Sequence, residues 1–149
     1  MRWYLAARYS RHPEMREVRA FLEQQGHTVT SRWIDGGHEI TDVQDEANRA
    51  EYECFASEGW NDVLSAEASI HFTEAGAAGR QRGARHVEYG IALMEHELVI
   101  VCGPRENAFH WLTERDAQSG GNSNRTRLLY FDDWAGVRDR LLGVEHVRD

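Results

Sequence analysis

Glu88 is the residue best placed to do chemistry. It lies in the stretch Arg85 to Asn107, RHVEYGIALMEHELVIVCGPREN. Val87, Ile91 and Met94 recur there at helical spacing and give an apolar seam beside it. Gly90 and Ala92 carry little or no side chain, leaving room for a ligand or a neighbouring backbone to come close. The pattern puts Glu88 in the first turn of this helix, where the positive end of the helix dipole favours an ionised carboxylate. Such a carboxylate is a plausible nucleophile. The helix leads into Leu98 to Cys102, an unbroken apolar run rich in Val and Ile that stops at Gly103-Pro104. A parallel strand buried on both faces reads this way. Ligands of open α/β sheets bind beyond the carboxyl ends of the strands, so the loop Pro104 to His110 belongs to the same neighbourhood.

The elements that must hold Glu88 in place are legible along the rest of the chain. Trp3 to Ala7 reads as a strand, and Pro13, Met15, Val18 and Phe21 to Leu22 form a helical stripe that stops at Gly26. Thr28 to Trp33 is β-branched and alternating, which predicts a second strand. A long polar helix opens at Thr41 and runs to about Ser57, with a break at Glu58-Gly59 before a short apolar-periodic piece ending near Ala66. Ser69 to Thr73 is the third strand, and Ala75 to Gly83, rich in Gly, Ala and Arg, reads as a mobile loop. After the helix of Glu88 and the fourth strand, Gln118 to Asn124 reads as a disordered loop. Arg127 to Phe131 follows as a fifth strand, and Asp132 as the N-cap of a last helix ending near Leu142. Strand and helix alternate five times. This predicts a doubly wound α/β domain with a five-stranded parallel sheet in flavodoxin-like order.

Bulk properties narrow the function. A chain of 149 residues, 41% hydrophobic, is long enough for one domain with a real core. A net charge of -8 argues against a binder of polymeric nucleic acid or of an anionic membrane, and fits a small polar ligand better. All 17 basic residues are arginine. Without lysine there is no Schiff-base nucleophile, no covalently held pyridoxal phosphate and no Walker A phosphate loop. The two cysteines, Cys54 and Cys102, show no metal or redox spacing and read as reduced structural thiols. No run approaches the length of a membrane span, and Met1 leads directly into a strand, so the expectation is a cytoplasmic protein.

The segments WYLAARYS, AEASIHFTE, RHVEYGIAL and VIVCGPRENAFHWL, in that order, resemble the nucleoside 2-deoxyribosyltransferase family and its nucleotide N-glycosidase relatives. HVEYGIAL is the most specific of them. The resemblance implies a flavodoxin-like domain that assembles as dimers or larger oligomers with shared active sites. It also implies cleavage of the bond between base and deoxyribose by retaining double displacement. Glu88 matches the family's nucleophilic glutamate, and Tyr4 matches a tyrosine that hydrogen-bonds and orients it. A phenol can hold a carboxylate without neutralising it. The family's general acid, an Asp eight residues before the acid of an Ala-Asp pair, falls on Gly59 here, with Ala66-Glu67 in the place of the pair. Glu58, Asp62 and Glu67 are the carboxylates near enough to replace it. A second acid that many transferases carry six positions before the nucleophile is Arg82 here.

Substrate contacts fall on both sides of Glu88. Ala6, Arg8, Ser10 and Arg11 close or follow the first strand, while Arg80, Arg82, Gly83, Arg85 and His86 precede the nucleophile. Paired guanidinium groups and a helix N-terminus suit a phosphate, which favours a nucleoside 5'-monophosphate over a free nucleoside. Asn107 and Phe109 fall in the loop that the resemblance directs toward a partner subunit's site, though Asn107 equally reads as a loop cap. Trp111 suits a ligand or subunit contact, whereas Trp3 and Trp33 read as core and His71 as a space-filler on the third strand. The sequence offers no metal-ligand cluster, and the implied mechanism needs neither metal nor organic cofactor. Two rival functions use the same fold: a nucleotide-binding or sequestering protein that has lost the acid, and an NAD glycohydrolase.

Overall fold

Five short apolar runs become strands: β1 (Arg2–Ala6), β2 (Thr28–Val29), β3 (Ala68–Phe72), β4 (Leu98–Cys102) and β5 (Arg127–Phe131). In the computed structural model, which describes residues 1–38, 46–75, 83–120 and 125–143, they form one all-parallel sheet. Its order is β2-β1-β3-β4-β5, the flavodoxin-like order expected from the alternation of elements. Between the strands run α1 (His12–Gln24), α2 (Arg49–Ser65), α3 (Ala84–Glu95) and α4 (Glu114–Gly120), with α5 (Trp134–Leu141) last. No helix among the described residues is long and apolar enough to cross a membrane.

Strand alternation divides the core in two. Trp3, Leu5, Ile70, Phe72 and Ile100 face α1 and α5, where they meet Met15, Val18, Leu22 and Val137. Each fully buried Leu, Ile or Val contributes about 1.5–3 kcal/mol. Tyr4 and Ala6 point the other way, toward Val63 and Ala66 at the end of α2. On the same side, Val99 and Val101 pack against Tyr89 and Ala92 of α3. The chain runs from β1 out to β2 and then back across to β3, so the strand order reverses between β1 and β3. Tyr4 stands opposite Ser69, and Ala6 opposite His71, across that junction. Open sheets of this kind bind ligands at such a switch point.

Several boundaries differ from the sequence expectation. The second strand is only Thr28–Val29, because side chains take over the ladder. Ser31 Oγ accepts from Leu5 N at 2.7 Å and donates to Leu5 O at 3.2 Å, and Thr30 Oγ1 donates to Asp62 O at 2.8 Å. Local polar side chains that satisfy backbone groups release the chain from the sheet, and here it turns into the 3-10 turn Arg32–Asp35. The predicted break at Glu58-Gly59 is absent: α2 is continuous from Arg49 to Ser65. A helical glycine costs only about 1 kcal/mol, less than the packing of α2 on the sheet returns. The proposed helix start at Thr41 lies outside the described residues, as do 76–82 of the loop Ala75 to Gly83. Gln118, Ser119 and Gly120 belong to α4 rather than to a loop, and 121–124 lie outside the described residues. The last helix is capped by Asp133, not Asp132; Asp133 Oδ1 accepts from Gly136 N at 2.9 Å.

Candidate active site

Glu88 and Tyr4 meet. Tyr4 Oη donates to Glu88 Oε1 at 2.8 Å, joining α3 to β1 at the switch point. The electrostatics of Glu88 differ from the expectation. α3 begins at Ala84 with Gly83 as N-cap, so Glu88 is the fifth helical residue and lies beyond the first turn. The dipole's influence fades within that turn. Burial instead raises the Glu88 carboxyl above the ordinary glutamate range, and the Tyr4 hydroxyl and the Arg85 charge oppose it only in part. Burial, followed by the charge of Glu88, also holds the Tyr4 phenol well above its usual value. Tyr4 therefore keeps its proton and serves as a fixed donor. Of the apolar seam beside Glu88 only Ile91 packs toward the sheet, against the Tyr4 and Ala6 cluster; Val87 and Met94 are 63% and 43% exposed, while Arg85, Tyr89 and Ala92 form the buried stripe of α3.

A small pocket opens past the carboxyl end of β3, lined by Ala6, His71, Thr73, His86, Tyr89 and His110, among others. Its rim is a network. Glu106 accepts from the Arg85 guanidinium and from the Glu74 amide. Burial works to raise the Glu106 carboxyl, but these two donors hold it below the ordinary range. Asn107 Oδ1 accepts from Phe109 N at 2.9 Å and His110 N at 3.3 Å, capping the 3-10 turn Ala108–Trp111. Its Nδ2 lies 3.2 Å from His86 Nδ1. Gly103 sets the path of this loop. It has φ +118°, and a Cβ there would stand 2.6 Å from Thr73 Oγ1, so only glycine lets the exits of β3 and β4 lie together.

His71 is held rigidly in the pocket wall. Its Nε2 lies 2.9 Å from Ser69 Oγ, and the Tyr89 ring meets it edge-on at 5.2 Å between centroids. Burial, reinforced by the neighbouring His96, His110 and His86, pushes its pKa down to about 3. The imidazole is neutral at physiological pH.

The candidate acids are dispersed. Asp62 is buried on α2, and both its oxygens are taken by Arg32, from the main-chain N at 2.9 Å and Nε at 2.8 Å. Glu58, one turn earlier, accepts from or shares a proton with His38 Nε2 at 2.5 Å and lies 3.9 Å from Arg32 Nη1. The hydrogen bond from His38 holds the Glu58 carboxyl below the usual range. Glu67 lies at the opposite end of the sheet, where it accepts from Arg2 N at 2.8 Å. Beyond its own helix, no described residue comes within 4 Å of where a Cβ at Gly59 would stand.

The binding candidates are only partly assembled. Arg8, at the N-cap of the 3-10 turn Tyr9–Arg11, and Ser10, within it, are exposed. Arg11 is engaged by Glu14 at 2.8 Å and Glu74 at 3.1 Å, and Arg85 is ion-paired with Glu106. Arg80 and Arg82 lie outside the described residues. Phe109 and Trp111 stand 66% and 70% exposed, and the Arg105 guanidinium lies 4.5 Å from the Trp111 ring centroid. Among the described residues no cluster of three or more His, Cys, Asp or Glu could hold a metal ion. Burial pushes the free Cys102 thiol up to about 12, leaving it unreactive. Sequence reasoning passed over Glu106 and treated His71 as filler. The available signal was position, since both lie on carboxyl-end segments of central strands.

No family model and no curated protein matches the sequence. Solved structures do match. A CMP N-glycosidase of Clostridium botulinum aligns over 95% of this chain and 98% of its own, with a TM-score of 0.53 and 17% identity. A 2-deoxyribosyltransferase of Bacillus psychrosaccharolyticus aligns over 93% of this chain and 91% of its own, with a TM-score of 0.53 and 15% identity. The flavodoxin-like fold that brings Tyr4 of β1 to Glu88 of α3 is thus one this chain shares with an N-glycosidase and a deoxyribosyltransferase.

Proposed function

We propose that residues 1–149 form one nucleoside 2-deoxyribosyltransferase-like domain that cleaves or transfers at the N-glycosidic bond of a (deoxy)nucleoside or nucleoside 5'-monophosphate. The observation that carries this reading is the Tyr4–Glu88 hydrogen bond at the switch point. A Glu88 oxygen attacks the anomeric carbon, and the base leaves with the electron pair of the broken C–N bond. The sugar remains as a glutamyl ester. Water or a second base then attacks the same carbon from the opposite face and frees Glu88, so the configuration is retained. Tyr4 aims the carboxylate and holds one oxygen while the other reacts. The leaving base takes up a proton. Of the two α2 candidates, Glu58 and Asp62, Glu58 is free of main-chain bonds, and the His38–Glu58 hydrogen bond offers a route for that proton. Both solved relatives, by name, act on a bond between base and sugar, which supports the same chemistry here.

The domain works as a homodimer or higher oligomer. Trp60 and Leu64 on α2 and Val87 and Met94 on the adjacent α3 are all exposed large apolar residues, and apolar side chains left exposed on neighbouring helices suit a protein interface. Val87→Arg lowers the sedimentation mass if this face is the contact. The function itself is tested by incubating the protein with common deoxynucleosides and deoxynucleotides, with and without a second free base, and following base release or exchange by chromatography. Glu88→Gln abolishes turnover; unchanged turnover sinks the covalent scheme. A second reading, a nucleotide-binding protein that does not cleave, is favoured by Gly59 and by the capture of Asp62 by Arg32. Its signature is calorimetric binding without base release.

A further inference from the structure

Two features of His71 stand apart from the Tyr4–Glu88 chemistry. Its residue is 3% exposed, yet Nδ1 is buried with no hydrogen-bond partner among the described residues. The same ring lines the pocket beyond β3. A buried polar atom without a partner is costly, and native proteins rarely leave one. An apolar residue would fill that wall without the cost. Nor can the ring turn aside to find a partner, since Ser69 Oγ holds Nε2 and Tyr89 packs edge-on against it.

Position says what could approach it. His71 stands opposite Ala6, and Tyr4 stands opposite Ser69, so His71 is one same-face step along the strands from the level of Tyr4. That step is about 6.6 Å toward the carboxyl end of the sheet. A pentose whose anomeric carbon lies against Glu88 covers part of this distance with its far edge, and a hydrogen bond of about 2.7–3.2 Å from its hydroxyl covers the rest. The pocket is small, with room for a single group the size of a hydroxyl rather than for a whole nucleotide. A neutral imidazole also suits a hydroxyl, which accepts or donates, better than it suits a phosphate.

We infer that His71 is a specificity-determining residue whose Nδ1 hydrogen-bonds a hydroxyl on the far edge of the substrate's pentose, the 3'- or the 5'-hydroxyl. This rests on the N-glycosidic reading above. Which hydroxyl it takes is read by comparing a 2'-deoxynucleoside with its 3'-deoxy and 5'-deoxy analogues. The wild-type protein loses roughly 10- to 100-fold in kcat/KM on one of the two analogues, the scale of a lost hydrogen bond that strands a buried group. In His71→Leu that analogue and the parent react within about twofold of each other. His71→Asn, whose amide can stand near the Nδ1 position, restores part of the discrimination. Undiminished discrimination at both hydroxyls in His71→Leu overturns the assignment. A binding measurement on the wild-type protein separates the two readings. With 15N-labelled histidine, the Nδ1 resonance of His71 shifts on saturation with free 2-deoxyribose. A shift without turnover of any nucleoside supports the sugar site and counts against the glycosidic reading. Turnover with neither shift nor hydroxyl discrimination overturns the His71 assignment alone, and absence of both turnover and shift overturns both.

Discussion

Tyr4→Phe tests the centre of the site most directly. The substitution deletes one O–H and leaves the ring in its fully buried place on β1. Glu88 then loses the strongest of the two influences that oppose its burial, keeping only the charge of Arg85. A hydrogen bond to an ionised group is worth about 1.5–3 kcal/mol, and the bond favours the carboxylate over the protonated acid. The nucleophile is the carboxylate. Activity therefore falls as pH drops through the Glu88 pKa, and the loss of Tyr4 moves that acid limb to higher pH. At a fixed pH on the limb, kcat/KM falls by roughly 10- to 150-fold. Well above the limb the deficit shrinks to whatever misaiming the carboxylate costs. The assay is base release from a deoxynucleoside across the pH range for both proteins. Coincident acid limbs, with a pH-independent deficit, would refute the claim that Tyr4 tunes the ionisation of Glu88.

Three further outcomes follow from the same geometry. Because the Glu88 pKa is raised in the fold, protonated Glu88 is preferred there, and ionising it costs stability as pH rises through the folded value. Glu88→Gln thus melts higher than wild type above that pH, and the advantage vanishes below the ordinary glutamate range; calorimetry in the two buffers decides it. Gly59→Asp places a carboxylate on α2 where, beyond the helix itself, no described residue comes within 4 Å of the new Cβ. It raises the rate of base release, and a folded variant with no gain counts against position 59 as the acid's place. Gly103→Ala destabilises the fold by roughly 1–3 kcal/mol through its positive φ alone, with the 2.6 Å approach to Thr73 Oγ1 adding to the loss. An unchanged urea midpoint would contradict this.

Much of the architecture was legible because it rests on local periodicity. The central strands β3 and β4 and the stripe Met15, Val18, Leu22 of α1 are runs whose apolar spacing admits one reading. Errors gathered where tertiary contacts override local preference. β2 ends early because Ser31 and Thr30 bond to β1 and α2, partners remote in sequence. α2 runs through Gly59 because packing on the sheet outweighs one poor helix former.

The sequence by itself determined the alternation of strand and helix, the parallel sheet and, through the HVEYGIAL segment, the pairing of Glu88 with Tyr4. These depend on residue types, spacing and resemblance. Only the tertiary structure decided the state of each group: that burial rather than the helix dipole governs Glu88, that Arg32 occupies Asp62 and Glu106 occupies Arg85, and that His71 faces a pocket. Burial and hydrogen-bond partnership are properties of atoms brought together from distant parts of the chain, and no local pattern encodes them.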